Sequence, residues 1–390
     1  MTNSRIKNIL LYIEAYKRKL FYRISRKITL KPQDKPCGRV LLSYIFEPFL
    51  LKPNQKLSTL HTSYWECKEI ANIFLKHGYI VDVIRWNDEK FIPTKKYDFM
   101  IDIKNNLERL TPHLNKDCLK IMHIVSSHPK FQNEAEQKRL DNLEKRRGVK
   151  LIPKRTDASN ENIKYADFIS GLGNKTTFKT YSDIKKQIYP IPISTTVIFP
   201  KPNKNIHEIK KNFLWLGGGG TILKGLDLVI EVFADMPEYN LFVCGPVCSE
   251  KEFFKFYEKE FSSPNIKLFG RIDVAGEQFK KIAQESLALI YPSASEGQSG
   301  AVITAMHAGI IPIISKNSGV NIENFGSILE KCSEAEIKEN IIKISSLPNK
   351  ELKRQVQETW TYANKYHTRK RFSEEYNKFI DILIKNRNEK

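Results

Sequence analysis

Two stretches of the chain gather the residue types that bind anions and hydroxyl-rich ligands. The first is Gly217-Gly218-Gly219-Gly220-Thr221, with Lys224 just beyond it. Glycines between a strand and a helix let backbone N–H groups approach an anion, and the helix N-terminus adds about half a positive charge. Lys224, one turn into that helix, would point its ammonium back at the same pocket; taken alone, a solvated helix lysine is the plainer reading. Spacing excludes two familiar phosphate loops. A Walker A loop needs Gly-Lys-Ser/Thr where the chain has Lys224-Gly225-Leu226, and a dinucleotide fingerprint from Gly217 needs glycine where Ile222 stands. Four glycines together still carry a chain-entropy cost that a tight turn does not require.

The second stretch is Tyr291-Pro-Ser-Ala-Ser-Glu-Gly-Gln-Ser-Gly, between an apolar strand and the helix Ala301 to Ala308. Ser293, Ser295, Glu296, Gln298 and Ser299 crowd hydroxyl, carboxylate and amide groups into seven positions, a set suited to sugars. Small residues at Gly297, Gly300 and Ala301 let the backbone come close and bare helix-terminal N–H groups to a phosphate. An N-capped surface loop is the alternative. Of the eight histidines, His123 and His128 flank a short loop at the end of a strand, and His128 is the better placed to meet a ligand; a structural histidine is the competing reading. His61, His77, His113, His207 and His307 have no distinctive surroundings in sequence.

The elements that must hold these loops follow an alternating pattern. Val40 to Phe46, Tyr79 to Trp86, Tyr97 to Ile103, Leu119 to Val125 and Tyr165 to Ile169 read as strands, with helices at Ser63 to His77 and Asn133 to Arg147. Tyr189-Pro-Ile-Pro-Ile reads as a connector broken by proline, and the polar run Lys201 to Lys211 as a domain boundary. A second series then begins. Phe213 to Leu216, Tyr239 to Cys244, Ile266 to Phe269, Leu287 to Tyr291 and Ile310 to Ile314 are strands, and helices are expected at Lys224 to Asp235, Glu250 to Phe261, Glu277 to Gln284 and Gly300 to Ala308. Alternation of this kind predicts parallel sheets covered on both faces, so the fold class is α/β with two tandem parallel-sheet domains. In open sheets of this type ligands sit beyond the carboxyl ends of the strands, where both stretches lie.

At 390 residues, with 41% hydrophobic and 28% charged residues, the chain can build its cores without disulfide or metal staples. Sixty-four Lys+Arg against 44 Asp+Glu leave +20, which calls for a phosphate-bearing partner: nucleic acid, anionic lipid or a phosphorylated substrate. The six cysteines are scattered, and only Cys244 and Cys248 lie close, without a histidine at ligand spacing; no metal site is expected. No stretch reaches the roughly 18 apolar residues of a membrane span, and the N-terminus lacks a secretory pattern, so a cytoplasmic protein is expected. Ile6, Ile9, Leu10, Ile13, Tyr16, Leu20, Ile24 and Ile28 share one helical face, while Arg5, Lys7, Lys17, Arg18, Lys19, Arg23, Arg26 and Lys27 mark the other. A basic amphipathic helix over residues 5–27 would dock on the inner face of an anionic membrane, or else pack on the body of the protein.

Four segments carry a family resemblance: FLWLGGGGTILKGLDLVIEVF, LFVCGP, IKLFGRID and ALIYPSASEGQSGAVITAMHAGIIPII. In order and spacing they resemble the donor-binding domain of the group 1 (family 4-like) retaining glycosyltransferases of the GT-B fold. HTSYWECKEIANIFLKHGYIVDVI is more loosely similar to the acceptor-side domain. The resemblance implies two Rossmann-like domains, an interdomain cleft and a C-terminal helix crossing back to the first domain. On that frame residues 1–36 are the basic helix and its linker, 37–200 the acceptor-side domain, 201–361 the donor domain and 362–390 the crossing helix. It also implies that Lys224 holds the donor diphosphate, that Glu296 contacts the donor sugar and that a first-domain histidine, here His128, stands near that sugar. Gly217, Gly218, Gly219, Gly220, Thr221, Ser295, Gly297, Gln298, Ser299, Gly300, Ala301 and Thr304 are then the donor-binding positions. Two positions depart from the family. Thr304 stands where a second glutamate would hold the ribose, and Gly219 where a second basic residue would precede the lysine.

The expected activity is transfer of a sugar from a nucleotide-sugar co-substrate, with retention, to a glycan or lipid-linked acceptor of cell-surface polysaccharide synthesis. No cofactor is expected, and with no Asp-x-Asp in the chain no metal either. A nucleotide-sugar 2-epimerase of the same architecture and an inactive sugar- or lipid-binding homologue are the alternatives. Nucleic-acid binding is disfavoured, because the basic residues are spread along the chain and no nucleic-acid motif occurs.

Overall fold

The computed structural model describes residues 26–52, 55–158 and 161–388. The first sheet has the order β1-β3-β2-β4-β5-β6-β7, formed by Lys27–Leu30 (β1), Gly38–Tyr44 (β2), Tyr79–Arg85 (β3), Phe99–Asp102 (β4), Leu119–Ile124 (β5), Phe168–Leu172 (β6) and Ile188–Ile191 (β7). All its pairings are parallel except β1 with β3. The second sheet is wholly parallel, in the order β10-β9-β8-β11-β12-β13: Asn212–Leu216 (β8), Asn240–Cys244 (β9), Ile266–Gly270 (β10), Ala288–Tyr291 (β11), Ile311–Ser315 (β12) and Ser327–Leu329 (β13). Strand order reverses between β8 and β11. The loops leaving those two strands therefore diverge and open a crevice, and they are the two loops singled out by composition. Continuous apolar runs make these strands central: Phe213, Leu214 and Trp215 of β8 and Leu289 and Ile290 of β11 are fully inaccessible. Each such side chain contributes about 1.5–3 kcal/mol by burial.

Several helices matter for the site, and we label them α1 (Ser63–Lys76), α2 (Pro129–Arg147), α3 (Leu226–Ala234), α4 (Gly300–His307), α5 (Asn349–Tyr366) and α6 (Arg369–Asn388). α5 packs on α4 and β12 of the second domain. The chain then breaks at His367–Thr368, and α6 returns to the first domain, against α1 and β7. Phe372 meets Trp65 edge-on at 5.7 Å, Phe379 lies 5.0 Å from Tyr189, and Arg387 donates to the carbonyl of Asp117 at 2.7 Å.

Local differences from the sequence expectations have physical causes. Residues 5–25 of the expected basic helix lie outside the described residues, and Lys27 and Ile28 belong to a strand. β1 is fixed to the first sheet by the buried Asp82, which accepts from Lys27 Nζ (3.1 Å), Thr29 Oγ1 (2.5 Å), Arg39 (3.0 Å) and Tyr97 (2.7 Å). The first sheet thus starts ahead of residue 37. The expected connector at Tyr189 is edge strand β7, a position where proline is tolerated because one side of the strand has no neighbour to pair with. The helix expected from Lys224 starts at Leu226, because Gly225 takes a left-handed conformation (φ 70°). The helix expected over Glu250 to Phe261 is broken at Tyr257 into two short pieces.

The charged helix α2 is a strut between the domains rather than a solvated face. Arg139 donates to the carbonyl of Pro292 (2.5 Å), and Arg147 pairs with Glu260 (2.6 Å). Arg146 binds Asp227 (3.0 Å), Glu231 (2.9 Å) and Glu334 (2.8 Å). Asp227 is almost wholly buried, and burial raises its pKa against the pull of Arg139 and Arg146. Removing a partner from such a cluster leaves an uncompensated buried charge, which costs about 3–5 kcal/mol. Arg146→Ala is expected to lower the thermal unfolding midpoint by several degrees, with Asp227→Asn/Arg146→Met recovering only part of the loss because Glu231 and Glu334 still lack their partner; calorimetry of the three proteins checks this.

Candidate functional site

A cavity of about 330 Å³ opens between the domains at the crevice of the second sheet. Its second-domain wall is made by Gly217–Gly219, Lys224, Gly245, Pro246, Arg271, Tyr291, Ser295–Ala301 and Thr304. The first domain contributes Thr59–Ser63, Val125, Ser126, Gln132 and Arg155.

The core of the site is a three-membered cluster. Lys224 Nζ lies 2.5 Å from Glu296 Oε1 and donates to Tyr291 Oη at 3.0 Å, while Tyr291 Oη donates to the same carboxylate oxygen at 2.6 Å. Burial alone would push the Lys224 ammonium toward its neutral form, but Glu296 and Tyr291 reverse this and its pKa is raised. Burial likewise opposes ionisation of Glu296, and Lys224 overcomes it to hold the carboxyl below its ordinary value. Lys224 and Glu296 are therefore a charged pair. The Tyr291 hydroxyl, raised by burial and then by Glu296, remains a donor. Lys224 reaches the cluster from a turn rather than a helix, its amide bonded to the Gly220 carbonyl at 3.0 Å.

The glycine loop behaves differently from expectation. The Gly217 amide is bonded to the Cys244 carbonyl at 3.0 Å. Those of Gly220 (2.6 Å) and Thr221 (3.2 Å) both go to Glu250, which also accepts from Thr221 Oγ1 at 2.7 Å. An internal carboxylate thus occupies the anion-binding end of the loop, and Gly220 and Thr221 are absent from the cavity wall. Gly218 and Gly219 remain for a ligand. A Cβ on Gly218 would meet nothing within 4 Å, so neighbouring atoms do not dictate glycine there, and its backbone stands bare to the cavity.

The loop after β11 is divided between ligand and interface. Ser295 Oγ is buried, lines the cavity and has no hydrogen-bond partner among the described residues. Gly300 and Ala301 present the first turn of α4, whose N–H groups lack intrahelical acceptors. The Ser299 amide, by contrast, is bonded to the Ser318 carbonyl (2.9 Å), and Thr304 Oγ1 turns back to the Gly300 carbonyl (2.8 Å). First-domain residues hold the rest of the loop. Ser127 Oγ donates to the Glu296 carbonyl (2.5 Å), Thr177 Oγ1 to the Gly297 carbonyl (2.5 Å), and the Ile193 amide to Gln298 Oε1 (2.7 Å). A Cβ on Gly297 would lie 2.5 Å from the Val125 carbonyl oxygen, so only glycine permits this approach. Gln298 and Gly297, expected on the donor, thus also close the domains on each other.

His128 is not in the cavity wall. It caps α2, its Nδ1 accepting from the Lys130 amide (3.2 Å) and its ring edge-on to Tyr181 at 5.1 Å. His123 is fully buried against Ser170 (2.9 Å). The histidine that lines the cavity is His61, on the loop before α1. Its Nδ1 accepts from the Ser63 amide (3.1 Å), which leaves Nε2 to carry the proton. Desolvation in the cavity, then Arg155 and Lys224, hold its pKa below the ordinary value against Glu296. Sequence reasoning also missed Arg155, Glu250 and Tyr291, whose placement depends on tertiary contacts; only Tyr291, in the second stretch, had a signal.

Comparison with known proteins agrees with the second domain's assignment. Residues 200–360 match the family "Glycosyl transferases group 1". Among the curated proteins no sequence matches. Solved structures share the two-domain GT-B frame. Sucrose-phosphate synthase from Thermosynechococcus elongatus superposes with a TM-score of 0.62 at 12% identity, covering 90% of this chain and 100% of that one. HepE from Anabaena, in complex with UDP and glucose, gives 0.54 at 12% identity over 90% and 100%. S. aureus TarM gives 0.51 at 16% identity over 76% of this chain and 56% of its own, so the chain spans little more than half of TarM.

The central pair should be measurable as stability. Glu296→Gln leaves the Lys224 ammonium buried among neutral groups, and is expected to cost about 3 kcal/mol. Lys224→Met/Glu296→Gln should cost less than the sum of the single changes, a coupling that a double-mutant cycle in urea resolves.

Proposed function

We propose that this protein is a retaining glycosyltransferase that moves a hexosyl group from a nucleotide-sugar to a glycan or lipid-linked acceptor. The observation that carries the reading is the Lys224–Glu296–Tyr291 cluster at the switch point of the second sheet, in a cavity that the first domain closes. Transfer of a glycosyl group builds positive charge at the anomeric carbon and negative charge on the departing phosphate. Lys224 and the first-turn amides of α4 are positioned to stabilise that phosphate, and fixed charges and dipoles act strongly where water is excluded. Glu296, kept ionised by Lys224, accepts from donor-sugar hydroxyls. Its oxygen Oε1 is already bound by a lysine and a tyrosine, which suits an orienting role rather than nucleophilic attack. Retention then follows if the acceptor enters on the face the phosphate leaves. The protein's own cations and dipoles supply the charge stabilisation, so transfer is expected to persist in EDTA. With Thr304 in place of a carboxylate, the ribose receives at most one side-chain hydrogen bond from this position.

The test begins with thermal unfolding against UDP, GDP, ADP, CDP and dTDP and their common sugar conjugates; UDP heads the panel because the HepE structure contains it. A bound nucleotide at 100 times its Kd stabilises by about 2.7 kcal/mol. One nucleotide is expected to raise the midpoint and its sugar conjugate to support transfer. Glu296→Gln and Lys224→Ala should each lower the rate at least tenfold per folded molecule. Full activity in both variants would dismiss this site, and interconversion of donors without acceptor would point to an epimerase.

The acceptor side of the proposal rests on the basic residues Arg5, Lys7, Lys17, Arg18, Lys19 and Arg23, which suit an anionic membrane surface and an acceptor of polysaccharide synthesis carried there. A chain beginning at Arg26 keeps β1 and is expected to lose co-sedimentation with phosphatidylglycerol vesicles. Undiminished sedimentation would refute this attachment.

A further inference from the structure

Lys224 is already paired with Glu296, so the two together add no net charge to the cavity that we assign to a nucleotide-sugar. Arg155 does add one. It stands between α2 and β6 in a stretch without regular structure, yet its backbone is clamped. Its amide donates to both oxygens of Glu136 at 3.0 Å, and its carbonyl accepts from Gln132 Nε2 at 2.6 Å; both partners are buried on α2. Through its arginines, α2 is in turn braced against the second domain.

From this anchor the side chain crosses the cleft and passes the glycine loop. A Cβ on Gly220 would lie 2.4 Å from Arg155 Cγ and 3.0 Å from Cδ, and Gly220 has φ 87°. Any other residue at 220 would both strain the backbone and block the arginine. Arg155 lines the same cavity as Lys224 and Glu296, and its charge is felt at both and at His61. Among the described residues no hydrogen bond or ion pair engages its guanidinium. Arg271, the other arginine on the cavity wall, belongs to the second domain.

We propose that Arg155 is a diphosphate-binding residue delivered by the first domain, and that Gly220 is glycine to let it reach the ligand. The guanidinium fork suits two phosphate oxygens at once, whereas the Lys224 ammonium acts as a point charge. The donor's diphosphate is thereby held by one cation from each domain, and its binding draws the domains together. The inference rests on the glycosyltransferase reading above.

The test is calorimetric titration of the full chain with UDP, GDP, ADP, CDP and dTDP, each beside its nucleoside, for wild type, Arg155→Ala, Arg155→Lys and Lys224→Ala. Arg155 is exposed, so its variants should keep the wild-type unfolding midpoint. Arg155→Ala is expected to weaken the diphosphate at least tenfold without changing nucleoside affinity, and to flatten the salt dependence of binding. Arg155→Lys should recover only part of the loss. If Arg155→Ala binds the diphosphate like wild type while Lys224→Ala does not, the role of Arg155 is overturned and the glycosyltransferase reading stands. If wild type binds none of the five, both fall.

Discussion

The rest of the site depends on a lysine and a carboxylate held in contact where water is scarce. Neither Lys224 nor Glu296 would keep its charge in that position alone: burial pushes both toward neutrality, and each is reversed by the other. The pair therefore requires both diverging loops of the second sheet to arrive together. β8 and β11 bring them together, and the buried apolar faces of those strands fix the register in which they do so. Tyr291 closes the arrangement from the last position of β11, so the geometry of the charges is set by a strand end rather than by a flexible loop.

A second layer of constraint comes from the other domain. The backbone carbonyls of Glu296 and Gly297 accept hydrogen bonds from Ser127 and Thr177, and the side chain of Gln298 accepts one from the Ile193 amide. The loop that carries the carboxylate is thus complete only when the domains are apposed. α2 enforces that apposition at a distance, through Arg139 near the loop and through Arg146 and Arg147 on α3 and its neighbours. The loop that lines the cleft is thus also the loop that holds the two domains together.

Much of the fold was legible in the sequence, because buried parallel strands are continuous apolar runs and their boundaries carry glycine or proline. The strands that escaped were edge strands. β1 mixes polar and apolar residues and is held by the Asp82 cluster, β7 contains Pro190 and β13 has only three residues; none of them is buried on two faces, so none shows the pattern of a central strand. In the site, Lys224 and Glu296 were singled out through the family resemblance, since Lys224 taken alone reads as a solvated helix lysine, and the fold brings the two into contact. The glycine loop was legible as an anion site, but not that Glu250, which follows β9, fills half of it. His61 and Arg155 carried no local signal. Each reaches the cavity through a path set by tertiary contacts, His61 by the loop ahead of α1 and Arg155 by the clamp on α2, and such paths leave no trace in nearest-neighbour pattern. His128 had the attractive local context, but the start of α2 claimed it as a cap.

The return of α6 to the first domain has a consequence for how the chain is made. β1 and α6 both belong to the first domain, so the second domain is an insertion within it. During synthesis the first sheet emerges early, while the surface around Trp65 and Tyr189 stays uncovered until Phe372 and Phe379 have left the ribosome. The second domain has all its strands before that point and can collapse as a unit. Completion of the first domain then runs against chain order: it begins before the second domain but is closed after it, by α6, and a nascent chain stopped short of that helix presents apolar surface to whatever chaperone attends it.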